Sequence, residues 1–235
     1  MRTAVIYSGQ ARSFAQVFPN QYWHVLRKLK NPEFFVSVAK DDNADAMIRL
    51  YERFDPAVVH IEHVEQPQLP EPPDDPAHLS GYPRNASKQA ILRQLWALKR
   101  AWEFYREKMN WETNYDIVVR IRPDLRFMRF EMPSAPFVYT PFVYTPWWSR
   151  WGGVNDRLAV MNEYAAERYF TTFTRLSETL ADGAPLHPET LIAESLRGFS
   201  AHPLVAEFNS LRLDGTMTPF DPTVIDIADY ARSKL

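Results

Sequence analysis

The segment Tyr115–Phe127, YDIVVRIRPDLRF, constrains this chain's fold more than any other stretch. It opens on Ile117-Val118-Val119, the apolar run of a strand buried on both faces of a sheet. Charge then enters abruptly. Alternation with period two sets Arg120, Arg122 and Asp124 on one side, with Ile121, Pro123 and Leu125 on the other. Pro123 lacks the amide proton that a sheet ladder needs, so pairing is expected to lapse there, just before Asp124. Guanidinium groups and a carboxylate at the exit of a buried strand are costly unless something polar meets them. In an open α/β sheet, the carboxyl ends of the strands are where ligands bind. A structural ion pair at a strand end is the competing reading.

The flanking sequence supplies the rest of such a sheet. Strands are predicted over Thr3–Ser8, Glu33–Ala39 and Ala57–Val64, alternating with helices over Pro19–Leu29, Ala44–Phe54 and Asn85–Met109. This alternation specifies βαβ units, and so an α/β fold with a mainly parallel central sheet flanked by helices. Asn85 is the expected cap of the third helix, whose buried stripe runs Ile91, Leu92, Leu95, Leu98, Ala101, Trp102 and Tyr105. Residues 65–83 carry too many prolines for regular structure and read as a disordered loop or a functional flap. Further on, Pro-Phe-Val-Tyr-Thr occurs twice in tandem from Pro136 to Pro146, a local duplication too short to imply a repeat architecture. Leu158–Met161 is an apolar run, and Asn162 caps a helix reaching about Leu180. His187-Pro188-Glu189 has the form of a helix start, with proline at the first helical position and an acid in the first turn. Val205–Leu213 reads as a late strand, and Val224–Tyr230 as a terminal helix or strand.

Whole-chain quantities remove several classes of function. A length of 235 residues suits one domain, 1–235. A net charge of −2 argues against nucleic acid as a partner, although arginines cluster locally in a way that suits one small anion. There is no cysteine, which excludes disulfides, zinc–thiolate sites and cysteine catalysis and fits a reducing, cytoplasmic setting. The amino-terminal apolar run is too short for a signal peptide, and no stretch approaches a membrane span. His60 and His63 point to opposite faces of their strand, the wrong geometry for joint metal ligation. Walker, Rossmann and nucleophile-elbow patterns are all missing.

Four clusters carry candidate chemistry. Ser8-Gly9-Gln10 with Arg12 leaves the first strand. Its glycine permits close backbone approach, and its side chains offer donors to a base or phosphate; a plain turn is the alternative. Arg84 and Lys88 lie at the amino end of the long helix, where an anion such as a diphosphate would be welcomed by dipole and side chains together; a solvated face is the alternative, and for Lys88 the favoured one. Arg122 and Asp124 form the third cluster. The fourth runs from Trp147 to Arg157, taking in Trp148, Trp151, Gly153, Asn155 and Asp156. Gly152-Gly153 is the one glycine pair in a chain with seven glycines. Tryptophans beside a carboxylate suit a sugar ring, with three core tryptophans and a surface Asp156–Arg157 pair as the alternative.

Taken in order, Ser-Gly-Gln-x-Arg, Tyr-Asp-x-Val-x-Arg-x-Arg-Pro-Asp, Trp-Gly-Gly-x-Asn-Asp and His-Pro-Glu resemble small GT-A-type glycosyltransferases of bacteria and large DNA viruses, including chlorella viruses. The likeness spans Thr3 to about Gly198. It implies a single GT-A-like domain with a nucleotide-sugar half at about 1–127 and an acceptor half at about 128–235. It also implies a nucleotide-diphosphate sugar donor, UDP-linked, and a sugar or glycan acceptor. In that family an Asp-x-Asp motif holds Mn²⁺ or Mg²⁺ on the diphosphate. Here only Asp124 matches, with Arg122 in the place of the first acid. Ser8, Gly9, Gln10, Arg12, Arg84, Lys88, Arg122 and Asp124 would meet the donor. Trp147, Trp148, Trp151, Gly153 and Asn155 would meet the acceptor. Asp156 becomes the expected base of an inverting transfer, with Glu189 as its rival. A non-catalytic carbohydrate-binding module and a sugar-nucleotide hydrolase or nucleotidyltransferase are the alternatives.

Overall fold

The computed structural model describes residues 1–41, 43–53, 58–72, 87–109, 115–133, 142–150 and 152–220. Its main sheet has seven strands: β1 (Thr3–Gly9), β2 (Pro32–Ala39), β3 (Val59–Val64), β4 (Ile117–Ile121), β6 (Phe142–Pro146), β7 (Leu158–Met161) and β8 (Ser200–Leu204). They lie in the order β3-β2-β1-β4-β7-β6-β8. Both partners of β7 run antiparallel to it, and every other pairing is parallel. The mainly parallel α/β sheet expected from the sequence is therefore present. β5 (Leu125–Phe130), β9 (Ala206–Leu211) and β10 (Met217–Thr218) form a second, antiparallel sheet in the order β10-β9-β5.

The central strands β1, β4 and β7 are buried on both faces, which is why they read as largely apolar runs, whereas the edge strands β3 and β8 are partly exposed. Along β1, Ala4 and Ile6 join the core under α3 (Lys88–Lys108), with Leu95, Leu98, Trp102 and Tyr105. Val5 and Tyr7 turn to the opposite core, with Phe14 and Phe18 of α1 (Phe14–His24) and Met47 of α2 (Ala44–Tyr51). Trp102 stacks on Phe170 across the first core, at a centroid separation of 5.6 Å.

The organising segment is two strands in two sheets. β4 stops at Ile121 and β5 starts at Leu125, so pairing lapses around Pro123 as expected. The sheet change frees several backbone carbonyls in the interior, and buried carbonyls need donors. Gln21, which is fully buried, supplies them: its Nε2 donates to the carbonyls of Arg122, Pro123 and Leu125 at 3.3, 3.2 and 2.9 Å. Its Oε1 accepts from the Tyr7 hydroxyl at 2.8 Å.

Other boundaries moved for local reasons. The first helix begins at Phe14 and contains Pro19, rather than starting there, and a 3₁₀ turn over Leu26–Lys28 follows it. Ser87 caps α3, accepting from the Ala90 amide; Asn85 lies outside the described residues. Asn162 caps as expected, but the helix behind it divides into α4 (Glu163–Phe170), a 3₁₀ stretch and α5 (Leu176–Ala181). Pro188 occupies the start of α6 (Pro188–Ser195). The second copy of the tandem pentapeptide forms β6 inside the sheet, just after Pro141. β8, with Pro203 within it, pairs only with β6 and so sits at an edge, where a proline is tolerated. The tail 224–230 and residues 73–83 lie outside the described residues.

Candidate functional site

A cleft of about 230 Å³ opens at the carboxyl ends of β1 and β4. Ser8, Gly9, Gln10 and Arg12 line it from the first strand's exit, and Arg120, Arg122, Pro123 and Asp124 from the fourth's. Ser87, Ala90, Ile91 and Gln94 contribute the first turns of α3. The alternation read from the sequence is thus realised: Arg120, Arg122 and Asp124 face one space. Gly9 takes φ +105°, a backbone conformation that favours glycine, which lets the chain leave β1 directly over the cleft.

Asp124 is the hub. Arg122 grips it with two bonds, Nε to Oδ1 at 3.0 Å and Nη2 to Oδ2 at 2.7 Å. Arg12 adds a third, Nη1 to Oδ2 at 3.0 Å. Burial by itself would raise this carboxyl's pKa. The two guanidinium groups outweigh burial and hold it below the ordinary aspartate range. Arg12 has φ +45° and spends its Nε on Gln10 Oε1 at 3.1 Å. Arg120 is almost wholly buried; its Nη1 donates to the Arg157 carbonyl at 3.1 Å, and its Nε has no hydrogen-bond partner among the described residues.

A second layer lies against Arg122. Its Nη1 stands 4.0 Å from Asp156 Oδ2, and Arg157 Nε stands 3.9 Å from Asp156 Oδ1. Asp156 does not line the cleft. Gln94, which does, donates its side-chain amide to Asp156 Oδ2. Glu189 lies nearby, almost fully buried, with His187 Nδ1 at 3.2 Å from its Oε2. Burial, and then the charge of Asp156, push the Glu189 pKa well above the ordinary glutamate range and so favour its protonated form. Burial lowers the pKa of His187 and keeps that ring neutral.

The two glycine positions of the Trp-Gly-Gly loop have separate causes. Gly152 takes φ +76°. Gly153 is packed so tightly that a β-carbon would fall 2.0 Å from the Glu189 carbonyl oxygen. The Val154 amide donates to that same oxygen at 3.1 Å. Two motifs distant in sequence are therefore one structural unit, which carries Asp156 and Glu189 together.

Several expected site residues sit elsewhere. Trp148 is 1% exposed, edges against Phe208 and Phe220, and donates its indole N–H to the Ala206 carbonyl at 2.7 Å. It is a core residue and not part of an exposed sugar platform. Asn155 is fully buried, donating to the Trp148 carbonyl and accepting from the Arg157 amide, both at 3.0 Å, so its side chain braces the loop. Trp147 is partly buried against the same core. Lys88 does not line the cleft; its ammonium donates to the Pro72 carbonyl at 2.8 Å. Arg84 and Trp151 lie outside the described residues. The sequence reading assigned no role to Gln94 or His187. Gln94 was legible only as a polar residue beside the buried stripe of α3.

For the expected divalent cation, Asp124 is the one carboxylate lining the cleft among the described residues. Its Oδ1 accepts one guanidinium bond and its Oδ2 two, so a hard cation seeking oxygen ligands would compete there with Arg122 and Arg12. The described residues contain no cluster of three or more acidic or histidine side chains that could hold a metal.

No family model matches the sequence, and no curated protein does. Solved structures do match in fold. The chain aligns with a galactosyltransferase, LgtC, solved with donor and acceptor sugar analogues, at a TM-score of 0.50 and 11% identity, over 86% of this chain and 72% of that one. It also aligns with the glycosyltransferase GlyE of Streptococcus pneumoniae TIGR4, at a TM-score of 0.44 and 11% identity, over 86% of this chain and 45% of that one. At 11% identity the likeness to LgtC is one of fold alone. No helix among the described residues is long and apolar enough to cross a membrane.

Proposed function

We propose that this protein is a glycosyltransferase that takes a sugar from a nucleotide-diphosphate sugar, UDP-linked, and passes it to a hydroxyl of a glycan or similar acceptor. The observation that carries the reading is the cleft at the carboxyl ends of β1 and β4, where Arg12, Arg120 and Arg122 converge beside the first turn of α3. Ligands of open α/β sheets bind at that edge, and a diphosphate is the anion that clustered guanidinium groups and a helix amino terminus suit.

Transfer breaks the bond between the anomeric carbon and the diphosphate oxygen, and the electron pair leaves on that oxygen. A bond forms from the acceptor oxygen to the anomeric carbon, and the acceptor's proton goes to a base. The arginines stabilise the charge that grows on the leaving group. Asp156, joined to the cleft lining through Gln94, is the candidate base of an inverting transfer, with Glu189 as its rival. Burial and the neighbouring charge favour the protonated form of Glu189, which makes it the poorer proton acceptor of the two.

Turnover of UDP-, GDP- and dTDP-sugars, measured with and without glycan acceptors, tests the reading. Acceptor-dependent consumption of one donor is the expected result. Equal consumption without acceptor would make the protein a sugar-nucleotide hydrolase. Glycan binding with no nucleotide-sugar binding would make it a carbohydrate-binding module.

A further inference from the structure

We infer that the cleft holds the diphosphate of its donor through the guanidinium groups that line it, chiefly Arg12, Arg120 and Arg122, without a divalent cation; this rests on the donor reading above. Three observations carry it. A metal at the strand exit would have to compete for the single acid with Arg122 and Arg12, which together bond both its oxygens. Asp124 is therefore a positioning residue that sets two guanidinium groups at the mouth of the cleft.

Arg120 is the second observation. It lines the cleft at 2% exposure, and its Nε has no hydrogen-bond partner among the described residues. A buried guanidinium is unfavourable without compensating negative charge, and an anion in the adjoining cleft would supply that charge. Arg120 was visible in the sequence only as one of three charges on the same strand face.

Charge balance is the third. Arg12, Arg93, Arg120, Arg122 and Arg157 outnumber the carboxyl groups of Asp124, Asp156 and Glu189 at and behind the cleft. The excess is positive, and the diphosphate of a sugar nucleotide carries the matching negative charge. A cation added to this cluster would increase the imbalance. Arg12, with Nε on Gln10 and Nη1 on Asp124, still has Nη2 to offer. The amino-terminal turn of α3 adds its dipole from the facing wall.

Calorimetry of the full chain with inorganic pyrophosphate and with the three nucleotide-sugars, each in EDTA and in Mn²⁺, tests the inference. The expected result is binding of pyrophosphate and of one nucleotide-sugar in EDTA, with affinities that Mn²⁺ does not raise. Arg12→Gln should weaken both ligands roughly tenfold to a hundredfold, the range for a charged hydrogen bond. Arg120→Met should weaken them similarly while leaving the melting temperature equal or higher, a combination that a merely structural arginine would not give. If Arg120→Met does not fold, Arg12→Gln carries the test. Nucleotide-sugar binding that appears only with Mn²⁺ overturns the inference and leaves the donor reading intact. Pyrophosphate binding in EDTA with no nucleotide-sugar bound supports the anion site and removes the donor reading. No binding of any probe overturns both.

Discussion

Gly153 and Glu189 touch backbone to backbone: a β-carbon on Gly153 would lie 2.0 Å from the Glu189 carbonyl oxygen and 2.6 Å from the Thr190 amide nitrogen. The contact locks the loop bearing Asp156 to the helix bearing Glu189. It also places two carboxyl groups close enough for the charge of one to raise the pKa of the other.

Gly153→Ala is therefore expected to destabilise the protein by about 1–3 kcal/mol, the usual cost of overpacking, even though the backbone there is not left-handed. Denaturant unfolding measures it. A wild-type midpoint would mean that the start of α6 yields easily and that the two motifs are not rigidly joined.

Glu189 gives a pH signature. Its folded pKa lies above the ordinary value, so the folded state binds more protons than the unfolded state once pH exceeds the ordinary glutamate range. Its contribution is fully present below that range and is lost as pH rises toward the folded pKa. Glu189→Gln cannot ionise, so it should melt higher than wild type at pH 8 and nearly level with it at pH 4. Parallel curves across that range would show that Glu189 is ionised in the folded protein.

The base assignment separates the same two residues by rate. Asp156→Asn keeps the shape but cannot take a proton, and loss of a general base costs roughly 10²–10⁴-fold. Transfer is expected to fall by that range with donor affinity nearly unchanged, and Glu189→Gln should be milder. If Glu189→Gln abolishes transfer while Asp156→Asn remains active, the base lies on α6. If both remain fully active, a retaining mechanism with no dedicated base accounts for the chemistry better.

Arg122→Ala removes the two-bond grip on Asp124 along with a cation of the cleft. It should weaken UDP-sugar binding much more than uridine binding, because the lost charge faces phosphate and not the base. Calorimetry with both ligands decides the point; equal losses would show that Arg122 serves folding or contacts the base.

The sequence was most informative where chemistry and periodicity agree. The apolar stretch Ile117–Val119, followed by Arg120, Arg122 and Asp124 on one face, located the buried strand, its interruption at Pro123 and the charged cleft behind it. Pro188 and Asn162 marked helix starts because proline and side-chain caps act on the next turn alone. Aromatic residues were less legible. Trp148 looks the same in a sequence whether it stacks on a sugar or fills a core, and only the neighbouring Phe208 and Ala206 decide.

The sequence by itself determined the α/β alternation, the mainly parallel sheet and the edge at which polar residues gather, because each depends on spacing along the chain. Tertiary structure alone decided the partners. Asp124 is as compatible with a metal as with two arginines until the loop after β1 brings Arg12 to it across 112 positions of sequence. Asp156 and Glu189 became a coupled pair only because Gly153 lets two backbones meet. Such contacts are fixed by the packing of remote segments, and no local pattern encodes which charges will share a low-dielectric space.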